Sequence, residues 1–424
     1  MRSGSGRGRR PGIALAAWLA VGPAIAETVP PAEPNAPSFE TCAAEIATAA
    51  EGQGVPRALT EARLRGLTPD ADVLAATRTQ AEFTKPIWAY IDASVTPERI
   101  AEGRRRLEDL AATFAAVEAR YGVDRYTLAA FWGVESSYGA VLDDASVVRP
   151  VVRSLATLAC GDPGRAAYWR GELLATLKIL AAGDAPLDRL VGADLTGSWA
   201  GAMGHTQFMP TVYLAHAVDF DGDGRRDIWT SVPDALASTA NYLVASGWRR
   251  GERWGYEAAL PEGFDLALAD EMTRRSLREW RDLGVRPVRD GPADDAVGAT
   301  LILPAGARGP AFLVLPNFSV ILRYNTALSY ALTVAHLSDR LRGEPGFTRD
   351  WPRGDRALTL DERRDLQGRL DALGHAVGGV DGKIGPRTRA ALRAYQAASG
   401  LPPDGYADAP VLERIRAEPP TPRP

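Results

Sequence analysis

Between residues 39 and 140 apolar side chains recur mostly at helical spacing. The segment 97–121 shows this best. Ile100, Leu107, Leu110, Phe114 and Val117 share one face, and arginines and acids share the other, which predicts one amphipathic surface helix. Further helices are predicted over about 125–136, 150–159, 165–182 and 233–246. From 250 to 320 the pattern shortens to brief β-rich runs, 299–306 and 310–317, bounded by glycine and proline. A helix returns at about 326–342. The body therefore reads as mainly α (α+β), with a small β-containing insert, over residues 38–342. Residues 343–357 hold glycine, proline and charge without periodicity and read as a linker. A last unit, 358–416, sets a helix, a glycine-rich turn over 378–386 and a second helix ahead of a proline-ended tail. So short a unit buries only a small core, which favours an adhesion module over a catalytic domain.

The first residues do not belong to this pattern. Residues 1–10 carry four arginines and no acid, an apolar run follows over 13–22, and Ala24-Ile25-Ala26 gives a small-x-small cleavage signature. That is the layout of a secretory signal over 1–26, and the run is too short to span a bilayer. The expected location is the periplasm, with no membrane anchor, because the first cysteine, Cys42, lies well past the cleavage site. Residues 27–37 are a proline-rich, extended lead-in. Cleavage leaves 45 basic against 53 acidic residues, so nothing points to nucleic acid as a partner. Nearly all the bases are arginine; the only lysines are Lys85, Lys178 and Lys383. Hydrophobic residues at 46% and charged residues at 24% exclude a disordered chain. In an oxidising compartment the two cysteines, Cys42 and Cys160, form a candidate disulfide, with two buried free thiols as the alternative.

Four blocks carry candidate chemistry. In Phe131-Trp132-Gly133-Val134-Glu135-Ser136-Ser137-Tyr138-Gly139, Glu135 falls in the last turn of a helix among aromatic rings. Both features disfavour the anion, so its pKa should rise, as a general acid for a glycosidic oxygen requires. The bland alternative is a glutamate whose tip reaches solvent. In the block from Ser198 to Pro210, small residues let backbone approach a ligand, and Ser198 and Gln207 offer hydrogen bonds. The alternative there is a glycine-rich connection, and His205 alone reads as structural. In Asp219-Phe220-Asp221-Gly222-Asp223-Gly224, acids at positions 1, 3 and 5 and glycine at 6 match the first half of a calcium loop. Thr230 replaces the closing glutamate and Arg226 stands at an apolar position; Asp234 is the candidate closing carboxylate of a longer loop. An acidic turn neutralised by Arg225 and Arg226 is the other reading. In the block from Arg323 to Ala331, Asn325 and Tyr330 line a cleft, or else serve as a helix cap and a core tyrosine.

Together and in this order the blocks resemble the membrane-bound lytic murein transglycosylase B family of bacterial cell-wall enzymes (glycoside hydrolase family 103-like), over residues 38–342. The resemblance implies a lysozyme-like helical catalytic body. It implies Glu135 as sole catalytic acid/base, with Ser198, Gln207, Tyr242, Asn325 and Tyr330 around the substrate sugar. It further implies a calcium loop at Asp219, Asp221, Asp223 and Asp234, with calcium as structure only and no cofactor for catalysis. The last unit resembles the peptidoglycan-binding type 1 domain, a small three-helix module. The matching residues run from Val380 to Ala390, then Tyr395-Gln396, with an echo at Gly400-Leu401-Pro402-Pro403-Asp404-Gly405. The implied partner is the peptidoglycan glycan strand, met by a monomer. The implied reaction breaks the β-1,4 bond between N-acetylmuramic acid and N-acetylglucosamine and leaves a 1,6-anhydro end. Two rivals stand beside it. One is a hydrolytic muramidase with Asp143 or Asp144 as second carboxylate; the other is a non-catalytic peptidoglycan-binding protein.

Overall fold

The computed structural model describes residues 38–419 apart from 78–84, 188–189, 191–193, 290 and 292–293. The signal segment 1–26 and the lead-in 27–37 lie outside the described residues. Among those described, no helix is long and apolar enough to cross a membrane.

At the centre lies the helix Arg125–Ser136. Asp124 starts it, its carboxylate accepting from the Thr127 amide at 3.0 Å, and Ser137 ends it in the left-handed region at φ 52°. Every residue from Thr127 to Ser136 is buried, because the helices Pro97–Asp109, Val232–Ala245 and Leu328–Arg342 pack around it. The single helix predicted over 97–121 is in fact two, Pro97–Asp109 and Ala111–Tyr121, broken at Leu110 (φ −113°, ψ 26°). The break lets Phe114 and Val117 sink fully into the core, while Leu107 and Leu110 stay at its margin.

A second core forms between the helices Phe39–Glu51, Val151–Gly161 and Ala166–Ala182. Cys42 and Cys160 are joined there, with Cα atoms 5.9 Å apart, tying the first helix to the middle of the chain. Two short strands, β1 (Arg149–Pro150) and β2 (Thr196–Gly197), pair antiparallel at the mouth of the loop that follows.

The insert is an antiparallel sheet of β3 (Gly255–Ala259), β4 (Arg275–Ser276), β5 (Arg286–Pro287), β6 (Gly298–Ile302) and β7 (Ala311–Val314), in the order β4-β6-β7-β3-β5. Register pairs Leu301 with Leu313 and Ile302 with Phe312. Side chains alternate between faces along a strand. Leu301 and Leu313 thus meet Trp280 on one side, while Ile302 and Phe312 join the core of the central helix on the other. The apolar run predicted over 310–317 stops being a strand at Val314. Pro316, at the first position of the helix Pro316–Tyr324, supplies a preset φ that starts a helix the periodicity did not reveal.

Residues 343–357 have no regular element, as the sequence suggests, but they form a fixed strap. The Phe347 ring stacks 4.0 Å from His336, Trp351 is buried between Trp88 and Phe312, and the amides of Thr348 and Arg349 donate to the buried Glu257 carboxylate. The C-terminal unit is built from the helices Leu360–Ala372, Pro386–Ala398 and Ala409–Ala417 around Leu366, Leu392, Tyr395 and Leu412. The echo in its sequence has a physical basis. Buried Gln367 accepts from the Gly382 amide (2.7 Å) and donates to Asp381, and buried Gln396 accepts from the Gly405 amide (2.8 Å) and donates to Asp404. Each glutamine thus holds one Asp-Gly turn. The unit is docked on the body through Arg389–Glu271 (2.7 Å), Arg308–Asp408 (3.0 Å) and an Ala307 amide to Asp404 bond.

Candidate active site

Glu135 occupies the last turn of the central helix and is 5% exposed. The Tyr330 hydroxyl donates to Glu135 Oε1. Burial first, and then the facing Glu135 carboxyl, hold that hydroxyl well above its ordinary pKa, so it stays a donor. Tyr330 belongs to the helix Leu328–Arg342, which packs along the central helix and so brings residue 330 to residue 135.

Tyr330 heads a row of tyrosines. Tyr324 lies parallel to it at 6.5 Å, and Tyr242 meets Tyr324 edge-on at 5.2 Å. The Tyr324 hydroxyl donates to the Thr206 carbonyl, and the Tyr242 hydroxyl to the Arg323 carbonyl at 2.9 Å. Phe131 and Phe208 close the row from either side, with ring centroids 4.7 and 6.0 Å from Tyr324.

The loop from Ser198 to Pro210 is bound to the central helix. Trp132 Nε1 donates to His205 Nδ1 at 3.0 Å, and Ser136 Oγ to the His205 carbonyl at 2.6 Å. Burial pushes His205 down to about 4, so it is the neutral ring that accepts from Trp132. This agrees with the structural reading of His205. Ser198 Oγ accepts from the Ala202 amide at 3.0 Å, Gln207 Nε2 donates to the Gly204 carbonyl at 2.9 Å, and Asn325 Oδ1 accepts from the Ala327 amide at 3.0 Å. These three side chains thus brace their own turns, whereas Tyr330 bonds Glu135 itself.

Ser137 (φ 52°), Tyr138 (φ 59°) and Gln207 (φ 56°) are the non-glycine residues with positive φ among those described, and all three flank this site. Such conformations cost about 1–3 kcal/mol each and persist only where the surroundings enforce them. Here buried Arg99 does so in part, donating to the Ser94 carbonyl (2.6 Å) and to Ser137 Oγ (3.0 Å). The Tyr138 ring lies so close over Gly103 and Gly133 that a Cβ at either would stand 2.1 or 2.6 Å from its hydroxyl.

Sequence reasoning passed over Tyr324 and Arg99, and placed Trp132 beside Glu135 without its bond to His205. Tyr324 adjoins Asn325 in a block already singled out; Arg99 gave no signal, since it sits in a run that reads as a solvated face. Asp143 and Asp144, proposed as a second carboxylate, are both exposed, and Asp144 accepts from the amide and hydroxyl of Ser146.

In the acidic loop, Asp219, Asp221 and Asp223 offer carboxylate oxygens within 4.8 Å of one another, a hard-oxygen donor set that suits calcium. Asp234, the expected fourth ligand, lies outside this cluster. It is fully buried, and its oxygens accept from the amides of Phe220 (2.7 Å) and Asp227 (2.9 Å), so it staples the loop from beneath.

Fold and site together define a helical body whose central helix ends at the buried Glu135, met by the Tyr330 hydroxyl. The chain belongs to the transglycosylase SLT domain family, whose model matches residues 38–339, and residues 359–415 match the peptidoglycan-binding domain model. It is 37% identical over 223 residues to membrane-bound lytic murein transglycosylase B of Escherichia coli, covering 51% of this chain and 56% of that protein, little more than half its length. The structure of SltB3 from Pseudomonas aeruginosa, in complex with NAG-anhNAM-pentapeptide, is similar at TM-score 0.82 and 45% identity, covering 90% of this chain and all of that one. Slt35 from Escherichia coli, in complex with calcium, is similar at TM-score 0.58 and 27% identity, covering 73% of this chain and 93% of that one.

Proposed function

We propose that this protein is a peptidoglycan lytic transglycosylase acting in the periplasm. The observation that carries the proposal is the buried Glu135 carboxyl, held at Oε1 by the Tyr330 hydroxyl in a chain of this family. Most glycosidases need two carboxylates; one suffices where the substrate supplies its own nucleophile. Glu135 gives its proton to the oxygen linking N-acetylmuramic acid to N-acetylglucosamine, and that bond breaks. The N-acetyl carbonyl of the muramic residue stabilises the cation at C1. Glu135, now a carboxylate, takes the proton from the C6 hydroxyl as that oxygen closes on C1. The product is a 1,6-anhydro end, the acid is regenerated and no water is consumed.

Tyr330 fixes the direction of the Glu135 carboxyl, and Tyr324 and Tyr242 form the wall behind it. Ser198, Gln207 and Asn325 sit on turns able to offer polar groups to the sugar. Asp219, Asp221 and Asp223 would hold calcium as a brace for the segment that leads into the helix Val232–Ala245, outside the chemistry. The test is digestion of purified sacculi by residues 27–424 and by Glu135→Gln, with released muropeptides read by mass spectrometry. Anhydro ends, lighter than reducing ends by one water, are expected from the wild type only. Reducing ends would establish a hydrolase, and sedimentation with sacculi without release would leave a binding protein.

A further inference from the structure

The chain leaves the central helix through three consecutive residues in the left-handed region, Ser137 (φ 52°), Tyr138 (φ 59°) and Gly139 (φ 85°). Glycine adopts such a φ freely; serine and tyrosine do not, because Cβ then crowds the following carbonyl. Glu135 lies two residues before this turn, so whatever holds the turn also holds the end of the helix that presents the acid. The backbone bonds that close it are long: the Ser137 amide donates to the Gly133 carbonyl at 3.2 Å, and the Tyr138 amide to the Trp132 carbonyl at 3.3 Å. Tyr138 is kept by packing, its buried ring lying against Gly103 and Gly133. Ser137 is only half-buried, and its hydroxyl accepts from Arg99 Nη2 at 3.0 Å.

A cation is costly to bury, and Arg99 is 7% exposed; burial pushes its pKa down. An apolar side chain would fill the same space without that cost. What the guanidinium adds is a bridge. It donates to the Ser94 carbonyl at 2.6 Å as well as to Ser137, while the Arg99 amide donates to Thr96 Oγ1 at 3.2 Å and fixes the backbone from which it reaches. Ser94 ends the helix Ile87–Ser94, and Arg99 lies in the first turn of the helix Pro97–Asp109. Both pack on Leu328–Arg342, the helix that carries Tyr330. One planar fork thus joins the support of Tyr330 to the end of the helix that carries Glu135, the two partners of the bond at Oε1. Tyr90, on the helix Ile87–Ser94, acts electrostatically on both Arg99 and Tyr330, so the three groups share one buried patch.

We propose that Arg99 is a positioning residue for the reaction: by holding Ser137 it enforces the left-handed turn over 137–139, and so sets where the Glu135 carboxyl stands relative to Tyr330 and the sugar. The inference rests on the proposed activity at Glu135. Arg99 touches neither the acid nor the substrate in this role; it acts through the turn.

The test is a cycle of Arg99→Met, Ser137→Gly and the double variant, with initial rates of anhydro-end release from a defined glycan oligomer. Rates are read well below each variant's melting temperature, so that lost stability alone leaves kcat unchanged. Arg99→Met is expected to lower kcat by about 10- to 100-fold, the order that an ångström of misplacement costs, with KM within about threefold of wild type. In the Ser137→Gly background the turn forms without strain, and there Arg99→Met is expected to lower kcat by less than about threefold. An Arg99 that merely supports the fold would impose the same penalty in both backgrounds, and that result would overturn the proposal. So would a kcat for Arg99→Met within about threefold of wild type, or a loss confined to KM. Should Arg99→Met fail to fold, Arg99→Lys, which keeps the cation but not the fork, takes its place in the same cycle. Should the wild type yield no anhydro ends, the activity reading fails on its own. Hydrogen exchange at the Ser137 and Tyr138 amides then decides the hold on the turn: exchange faster by about tenfold in Arg99→Met is expected, and equal exchange would contradict it.

Discussion

Replacing Tyr330 by Phe removes one oxygen atom and nothing else from the packed site. The ring is 1% exposed and keeps its neighbours Phe131, at 6.4 Å, and Tyr324, at 6.5 Å. What is lost is the donor to Glu135 Oε1. A hydrogen bond of this kind contributes about 1.5–3 kcal/mol, and leaving a buried acceptor unpaired costs about 1–3 kcal/mol of stability. If the bond chiefly holds the acid in its reactive orientation, the same energy appears as a roughly 10- to 150-fold loss of kcat. Freeing the carboxyl to turn by an ångström predicts a loss of similar size, on the order of a hundredfold. KM should stay within about threefold, because the hydroxyl contacts the acid and is not needed to grip a remote sugar. The assay is initial-rate release of anhydro ends from a defined glycan oligomer, with a melting curve for each variant. Tyr242→Phe is the control: its hydroxyl bonds the Arg323 carbonyl at 2.9 Å, away from the acid, so kcat should fall less than about fivefold. A kcat for Tyr330→Phe within threefold of wild type, or a change confined to KM, would refute the reasoning.

Three further outcomes follow from other parts of the molecule. Cys42→Ser/Cys160→Ser opens a loop of 118 residues, for which chain entropy predicts up to about 5 kcal/mol of lost stability; urea unfolding showing under 1 kcal/mol would be inconsistent with it. His205, at about 4 in the folded state against about 6.5 unfolded, is neutral when folded, so its contribution is present above pH 6.5 and is lost as pH falls toward 4, by up to about 3 kcal/mol. Thermal melts from pH 7 to pH 5 should therefore fall more steeply for the wild type than for His205→Gln, and parallel curves would count against it. One millimolar calcium should stabilise the wild type by about 0.4–1.4 kcal/mol, as for a weak extracellular site, and should leave Asp219→Asn/Asp221→Asn unchanged; equal shifts in both would remove the loop as a calcium site.

The legible parts of this chain are those fixed by local pattern. The helix around Glu135 was readable from its apolar block, though Ser137 and not a glycine ends it, and the β insert from short runs between glycine and proline. The break at Leu110 was not, because the face it serves is continuous in sequence and only tertiary packing asks it to bend. The strap over 343–357 was not, since the partners that hold it, His336, Trp88, Phe312 and the Glu257 carboxylate, come from segments far apart in the chain. At the site the sequence pointed to Glu135 and Tyr330 but not to the bond between them, nor to buried Arg99 behind Ser137. Nor does acid spacing along a loop show that Asp234 meets the backbone amides of Phe220 and Asp227 from beneath.

The central claim is that one glutamate performs both proton transfers and that the C6 hydroxyl of the substrate takes the place of water. The most direct measurement is digestion of glycan strands in water enriched in oxygen-18, followed by mass spectrometry of the released ends. The account predicts anhydro ends without the heavy isotope from the wild type, and none from Glu135→Gln. Reducing ends that carry oxygen-18 at C1 would contradict it, since water would then have been the nucleophile.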